Sequence, residues 1–282
     1  MTSASLRSRP EGFHSGSSQQ SLVERAKRIV QYRRILELLV RRDLKVRYAG
    51  SALGYVWTVL DPLLMSLVYW FVFVKIFKRD AGPQNRPYML YLVTGQLIWA
   101  WFNGGVQAAA RALRSEAQMV RSSNVPRELW ILRVAVSKGV EYVFGLPVLI
   151  IYGLAYWTHP TWGILLLPFA VLMCFVLLMG FGLILAPLVV LYRDLDRVIP
   201  IVMRVFFYAS PVLYSTNRLP PSVRFVYNFN PMVGVLTLSR ATFFTADLNA
   251  VYIRNSIIGA VIVFAIGVVV FVRLERAVLK EI

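Results

Sequence analysis

Gly163-Ile-Leu-Leu-Leu-Pro-Phe-Ala-Val-Leu-Met-Cys-Phe-Val-Leu-Leu-Met-Gly-Phe-Gly-Leu-Ile-Leu-Ala-Pro-Leu-Val-Val-Leu-Tyr192 runs without a single charged side chain. A hydrocarbon core ~30 Å thick is crossed by ~20 apolar residues at ~1.5 Å each, so this stretch alone is long enough to span a bilayer. Working outward, Leu53–Phe77, Tyr88–Ala110, Val134–Trp157, Val198–Tyr214 and Ser256–Val272 are further candidate spans, the last two being the shortest. Among the charges within them, Lys75, Lys138, Glu141 and Arg204 need partners. Unpaired backbone groups are not tolerated in lipid, and alternating strands of about ten residues are missing, so helices are expected over a barrel. The fold class expected is all-α integral membrane, with six transmembrane helices.

Hydrophobic residues make up 57% of the chain, a share that a water-soluble domain cannot accommodate. The formal net charge of +17 raises the possibility of nucleic acid, but its distribution argues for topology instead. Eleven of the thirty-one basic residues precede position 51, and twenty-two fall on the side that would hold both termini, against eight on the other. That asymmetry places the termini in the cytoplasm. No segment is large enough to form a basic soluble face, so no nucleic-acid partner is expected. Cys174 is the lone cysteine, which excludes a disulfide within the chain or a thiolate metal cluster and reads as small apolar packing.

Residues 1–21, rich in Ser, Gly and Gln, read as a disordered cytoplasmic tail with no apolar signal-peptide core. Across residues 22–48, Leu22, Ala26, Ile29, Leu36 and Val40 recur at helical spacing while Arg25, Lys27, Arg28 and Arg34 point elsewhere, predicting an amphipathic helix at the membrane interface. Residues 113–128 form a cytoplasmic loop in which a short polar helix, ended near Asn124 by the restriction that Pro126 imposes, suits contact with a soluble partner as well as a plain connection. Residues 215–249, too polar to cross and too apolar for an ordinary loop, read as re-entrant helices dipping into the outer leaflet before the last span.

The run Arg42-Asp43-Leu44-Lys45-Val46-Arg47-Tyr48, followed by Gly50-Ser51, Leu53-Gly54, Trp57 and Leu60-Asp61-Pro62-Leu63, resembles the entrance to the first membrane helix of ATP-binding-cassette permeases that export O-antigen polysaccharide and teichoic acid. Val125-Pro126-Arg127-Glu128 is similar to the segment after that family's coupling helix. Tyr192-Arg193-Asp194-Leu195-Asp196 and Ser210-Pro211-Val212-Leu213-Tyr214 resemble its fifth-helix region, and Asn230-Pro231 followed by Arg240 its re-entrant stretch. The resemblance covers nearly everything after residue 22. It implies that residues 49–282 are a six-helix permease domain pairing with a second copy of itself and with two copies of a separate ATPase. It implies too that the interface helix and first cytoplasmic loop press on that ATPase, which assigns coupling to Leu113, Glu116 and Arg121. The chain has no G-x-x-x-x-G-K-[ST] run, so it is expected to be no enzyme and to bind no cofactor itself, with ATP and Mg held by the partner.

A polymer route through lipid must satisfy hydroxyls without gripping one sugar, and aromatic faces meet that need. Tyr55, Trp57, Tyr69 and Trp70 on the first span and Trp99, Trp101 and Phe102 on the second are the candidate glycan pathway, against the alternative that they belong to packing or the interfacial aromatic belt. Lys138 and Glu141, three apart, are positioned to neutralise each other, while Asp61 before Pro62 marks a kink more than a catalytic acid. Asp194-Leu195-Asp196 also has the D-x-D form with which glycosyltransferases hold a metal and sugar nucleotide, but two carboxylates flanked by arginines favour salt bridges at a helix end. The expected function is export of a lipid-linked polysaccharide across the bacterial plasma membrane: O-antigen, teichoic acid or cell-wall galactan. Twenty-five arginines against six lysines lean toward galactan through the codon bias of GC-rich genomes. A drug or lipid exporter and a membrane-bound glycosyltransferase are the alternatives.

Overall fold

The computed structural model describes residues 22–51, 53–78, 87–216, 225–245 and 248–281; the expected tail at 1–21 lies outside them. Among the described residues the chain is helical and no strand forms. The amphipathic segment is two helices, α1 (Leu22–Gln31) and α2 (Arg33–Tyr48), separated at Tyr32, whose hydroxyl donates to the Asn124 carbonyl at 3.4 Å. Gly50 and Gly54, at φ 76° and 48°, then turn the chain through left-handed conformations that favour glycine. After that turn comes α3 (Trp57–Tyr69), which widens into a π-helical segment over Trp70–Ile76.

The helix α4 (Tyr88–Ser115) is the axle of the molecule, with nineteen of its residues buried against its neighbours. It leads to the short α5 (Ala117–Ser122), after which Ser123 is extended, close to the expected stop at Asn124. Next, α6 (Glu128–Gly145) and α7 (Pro147–Ala155) run nearly end to end, interrupted where Pro147 lacks the N–H that a continuing helix needs. The opening stretch becomes a tight turn, Trp162–Leu166, and α8 (Leu167–Leu191). Beyond it lie α9 (Leu195–Ala209), α10 (Met232–Arg240) and the long α11 (Ala250–Glu281).

Among the described residues, four helical stretches are long and apolar enough to cross a membrane: Val59–Ile76, Glu128–Ala155, Trp162–Leu191 and Ala250–Glu281. The other two expected spans differ for separate reasons. The second is long, 28 residues, but carries polar residues through its lower half, where it continues to Ser115 instead of stopping at Ala110. The fifth is a 15-residue helix, about 22 Å at the helical rise and shorter than a bilayer core.

Small residues bring the two most apolar spans together. A Cβ added at Gly180 of α8 would lie 2.8 Å from the Phe264 backbone nitrogen, and one at Gly267 of α11 would lie 2.6 Å from the Gly180 carbonyl oxygen. Close backbone approach of this kind supplies dispersion contact where lipid offers no hydrophobic driving force. Gly182 faces Ile131 and Ala109 within the subunit, which makes the Gly182/Ala186 face an internal one. Cys174 is fully buried in the same core. Replacing Gly180 with Val should separate α8 from α11 and destabilise the fold by about 1–3 kcal/mol, the usual cost of overpacking. Thermal melting in detergent checks this; an unchanged melting temperature would show that the contact is not needed.

Candidate coupling and translocation site

Charged residues from distant parts of the chain meet at one end of the bundle. Glu116, where α4 gives way to α5, accepts from Arg42 of α2 at 2.6 Å and from Arg133 of α6 at 3.1 Å. Arg133 also pairs with Asp43 at 3.0 Å, and the Ser137 hydroxyl donates to the same carboxylate at 3.4 Å. Burial raises the Asp43 pKa, and Arg133 and Arg42 counter that rise without cancelling it. One turn further along α6, Glu141 accepts from Lys138 at 3.0 Å and from Arg47, the last arginine of α2. A second cluster joins Arg25 of α1 to Glu128 at 2.6 Å and to Glu275 of α11 at 2.8 Å, with Arg127 3.5 Å from Glu275. These contacts tie both halves of the amphipathic segment to the loop, α6 and the last helix.

The three expected coupling residues therefore separate. Leu113 is in the core, Glu116 is turned inward on its arginines, and Arg121 is exposed on α5 beside the exposed Met119. Leu113 is closed off, whereas Glu116 remains partly exposed. Of the remaining motif residues, Arg42, Asp43 and Arg47 are drawn into the network, Gly54 makes the turn, and Asp61 and Pro62 lie in the first half of α3. The side chains of Tyr48 and Tyr55 lie outside the described ones.

The expected aromatic pathway divides in the same way. On α3 and its continuation, Trp57, Tyr69 and Trp70 are half-buried, with Lys75 placed 5.0 Å from the Trp70 ring centre. Trp99, Trp101 and Phe102 instead fill the interior. Trp99 meets Phe206 and Phe207 at ring distances of 5.7 and 5.4 Å, and Trp101 stacks on Tyr142 at 5.2 Å while donating to the Ala135 carbonyl. All three are buried among the helices packed around α4, and Trp101 also borders the cavity between α3, α4 and α6. Within the expected fifth span, the sidedness of α9 is new: Val198, Ile201, Val202, Val205 and Tyr208 form one exposed apolar face opposite the buried Ile199 and Met203. Its helical spacing was the signal available.

Asp196 of the D-x-D stretch is taken by Arg111 at 2.5 Å, and no group of three or more His, Cys, Asp or Glu able to hold a metal occurs among the described residues. The residues do not fit a sugar-nucleotide metal site.

At the opposite end, Arg240 closes α10 with only 2% of its surface exposed. It donates to the carbonyls of Pro211, at 2.6 Å, and Val212, and to the Tyr91 hydroxyl at 2.8 Å, and its guanidinium carbon lies 3.7 Å from the Tyr91 ring centre. A planar fork meets these oxygens where a point charge does not. Asn230 links the same region, donating to the Ala209 carbonyl and the Ser210 hydroxyl. Lysine at 240 should cost about 2–3 kcal/mol by leaving buried acceptors without donors. Loss of folded protein on size-exclusion chromatography at moderately raised temperature is the readout, and wild-type behaviour would contradict the role assigned to the fork.

A family model described as ABC-2 type transporter matches residues 35–244. The chain is 32% identical over 225 residues to the O-antigen export system permease protein RfbA of Myxococcus xanthus, covering 79% of this chain and 85% of that protein. It is 28% identical over 245 residues to the protein of the same name from Klebsiella pneumoniae, covering 86% and 92%. It is 22% identical over 208 residues to the polysialic acid transport protein KpsM of Escherichia coli, covering 73% and 79%.

Proposed function

Because the chain belongs to the ABC-2 type transporter family, as a membrane permease whose ATPase is a separate subunit, we propose that it exports a lipid-linked polysaccharide across the bacterial plasma membrane. The observation that carries this reading is similarity along most of the chain to permeases named for O-antigen export, with polysialic acid transport at greater distance. An O-antigen-type polymer stands first among the substrates. The arginine bias that suggests galactan has no counterpart in those names, and teichoic acid has none either.

In this reading the membrane domain has six spans, with α4 and α9 joining the four long apolar stretches, both termini in the cytoplasm and residues 215–249 re-entrant from the outer side. Two copies assemble with two ATPases. The exposure of the first long apolar stretch supports a second copy: 6% of Val59–Ile76 is buried within the subunit, and α9 leaves a complementary apolar face. Trp57, Tyr69 and Trp70, with Tyr55, line the glycan route where two copies face each other, and Trp99, Trp101 and Phe102 brace it. The ATPase, which carries ATP and Mg, presses on α5 at Arg121. Glu116 passes that displacement to α2 and α6 through Arg42 and Arg133, and Leu113 anchors the end of α4.

Depletion of the chain should strand lipid-linked glycan on the cytoplasmic face, read as lost accessibility to an external glycan-cleaving enzyme; unchanged accessibility would overturn the export reading. Within the assembled transporter, Arg121→Ala should weaken co-purification of the ATPase. Glu116→Gln should preserve co-purification but lower export-coupled ATP hydrolysis severalfold, since a neutral amide holds two guanidinium groups more weakly than a carboxylate. Normal export and hydrolysis in both variants would remove the pair from coupling.

A further inference from the structure

At the Arg240 end of the bundle a groove of about 580 Å³ opens between α7, the turn Trp162–Leu166 and the residues that follow α10. The buried Leu149 and Phe243 lie at its inner side, and the exposed Ile150, Leu154 and Ile164 at its mouth. No carboxylate, ammonium or guanidinium group lines it, and His159 is its one ionisable residue. Its two long walls belong to the apolar stretches Glu128–Ala155 and Trp162–Leu191, each of spanning length. From Leu146 to Leu154 the α7 wall runs eight residues, about 12 Å at the helical rise and close to the ~15 Å of hydrocarbon in one leaflet.

Two tryptophans mark the depth at which the groove begins. Trp157, 88% exposed, follows α7, and Trp162, 63% exposed, opens the next turn. Indoles uncovered at the ends of spanning helices settle at headgroup level, so the groove descends from there into hydrocarbon. Trp157 also holds φ at 51°, where the Thr158 N–H reaches back to the Gly153 carbonyl at 2.9 Å, a helix-end position that glycine usually takes. A bulky side chain is thus kept in a strained place with almost none of its surface covered by the subunit.

The remaining wall is fixed by Thr161, whose N–H donates to the Thr242 carbonyl and whose hydroxyl donates to the Ala241 carbonyl, both at 2.7 Å. Thr242 itself is 4% exposed, and its hydroxyl has no partner among the described residues. A buried hydroxyl without an acceptor is costly, and an ester carbonyl arriving from the groove would supply one. In a phospholipid that carbonyl stands between the head group and the chain, the level that Thr161 and the two tryptophans define.

We propose that this groove is a phospholipid site, occupied by one acyl chain of a bilayer lipid from the leaflet on the Arg240 side. The ester carbonyl lies near Thr242 and the head group beside Trp157 and His159. With no fixed charge on the walls, the lipid is held by its chain and not by its head. The chain fills the wedge left where Pro147 interrupts the helix, and it steadies the turn before α8 against the end of α10.

The test places the chain with its ATPase in phosphatidylcholine nanodiscs, a small share of the lipid carrying a photoreactive diazirine near the end of one acyl chain, and maps the adducts by peptide mass spectrometry. Leu149 and Phe243, although buried, should be labelled at least as strongly as Val261 and Ile262, exposed residues of α11 that report ordinary contact with the bilayer. Ile150→Trp, at an exposed position of the mouth, should lower labelling of Phe243 severalfold while the α11 adducts persist. Phosphatidylglycerol with the same reactive chain should label Phe243 to the same extent as phosphatidylcholine. Labelling confined to exposed residues overturns the proposal, and so does Phe243 labelling that ignores Ile150→Trp or follows head-group charge. A second copy seated on the groove would exclude the probe from Leu149 and Phe243, which overturns it as well. None of these outcomes depends on which polymer is exported.

Discussion

A guanidinium taken out of water must find oxygen, and a chain with twenty-five arginines in an oily setting is organised by where it finds it. At one end of this bundle the oxygen comes from carboxylates, and Arg25, Arg42, Arg47 and Arg133 fasten the amphipathic segment to helices distant in sequence. At the other end it comes from the backbone, where Arg240 gathers the carbonyls of Pro211 and Val212. The two solutions differ in their mechanical character. Glu116, Glu141 and Glu275 each hold two cations, so contacts can be redistributed within a cluster, whereas Arg240 rests on backbone carbonyls fixed by the fold. The end that carries the carboxylate clusters is thus fitted for movement and the opposite end for permanence.

Apolar length was enough to read Leu53–Phe77, Val134–Trp157, Gly163–Tyr192 and Ser256–Val272 as helices of spanning size, because bilayer thickness is a constraint on a single segment. The pairing of Lys138 with Glu141 was legible for a similar reason, being set by helical spacing alone. The identity of the central helix was not. Tyr88–Ser115 is less apolar than its neighbours but more enclosed by them, and hydropathy does not distinguish contact with protein from contact with lipid.

The candidate site was legible in its residue types and obscure in its arrangement. Arg25 and Glu275 are separated by 250 positions, a distance over which no local pattern operates. Glu116 was visible as a loop carboxylate, yet only the fold shows it held between Arg42 and Arg133. The second-span aromatics illustrate the converse. Trp99, Trp101 and Phe102 have the chemistry of a sugar-stacking surface, but a helix surrounded by others presents such rings to its neighbours.

The left-handed glycines at positions 50 and 54 bear on how motion would travel. A peptide segment with two such residues bends easily, so the covalent joint between α2 and α3 transmits little torque. The ionic contacts Arg47–Glu141 and Asp43–Arg133 instead join α2 directly to α6. Tilting the amphipathic segment would accordingly drag α6 while α3 lagged behind, as a door follows its latch more readily than its hinge.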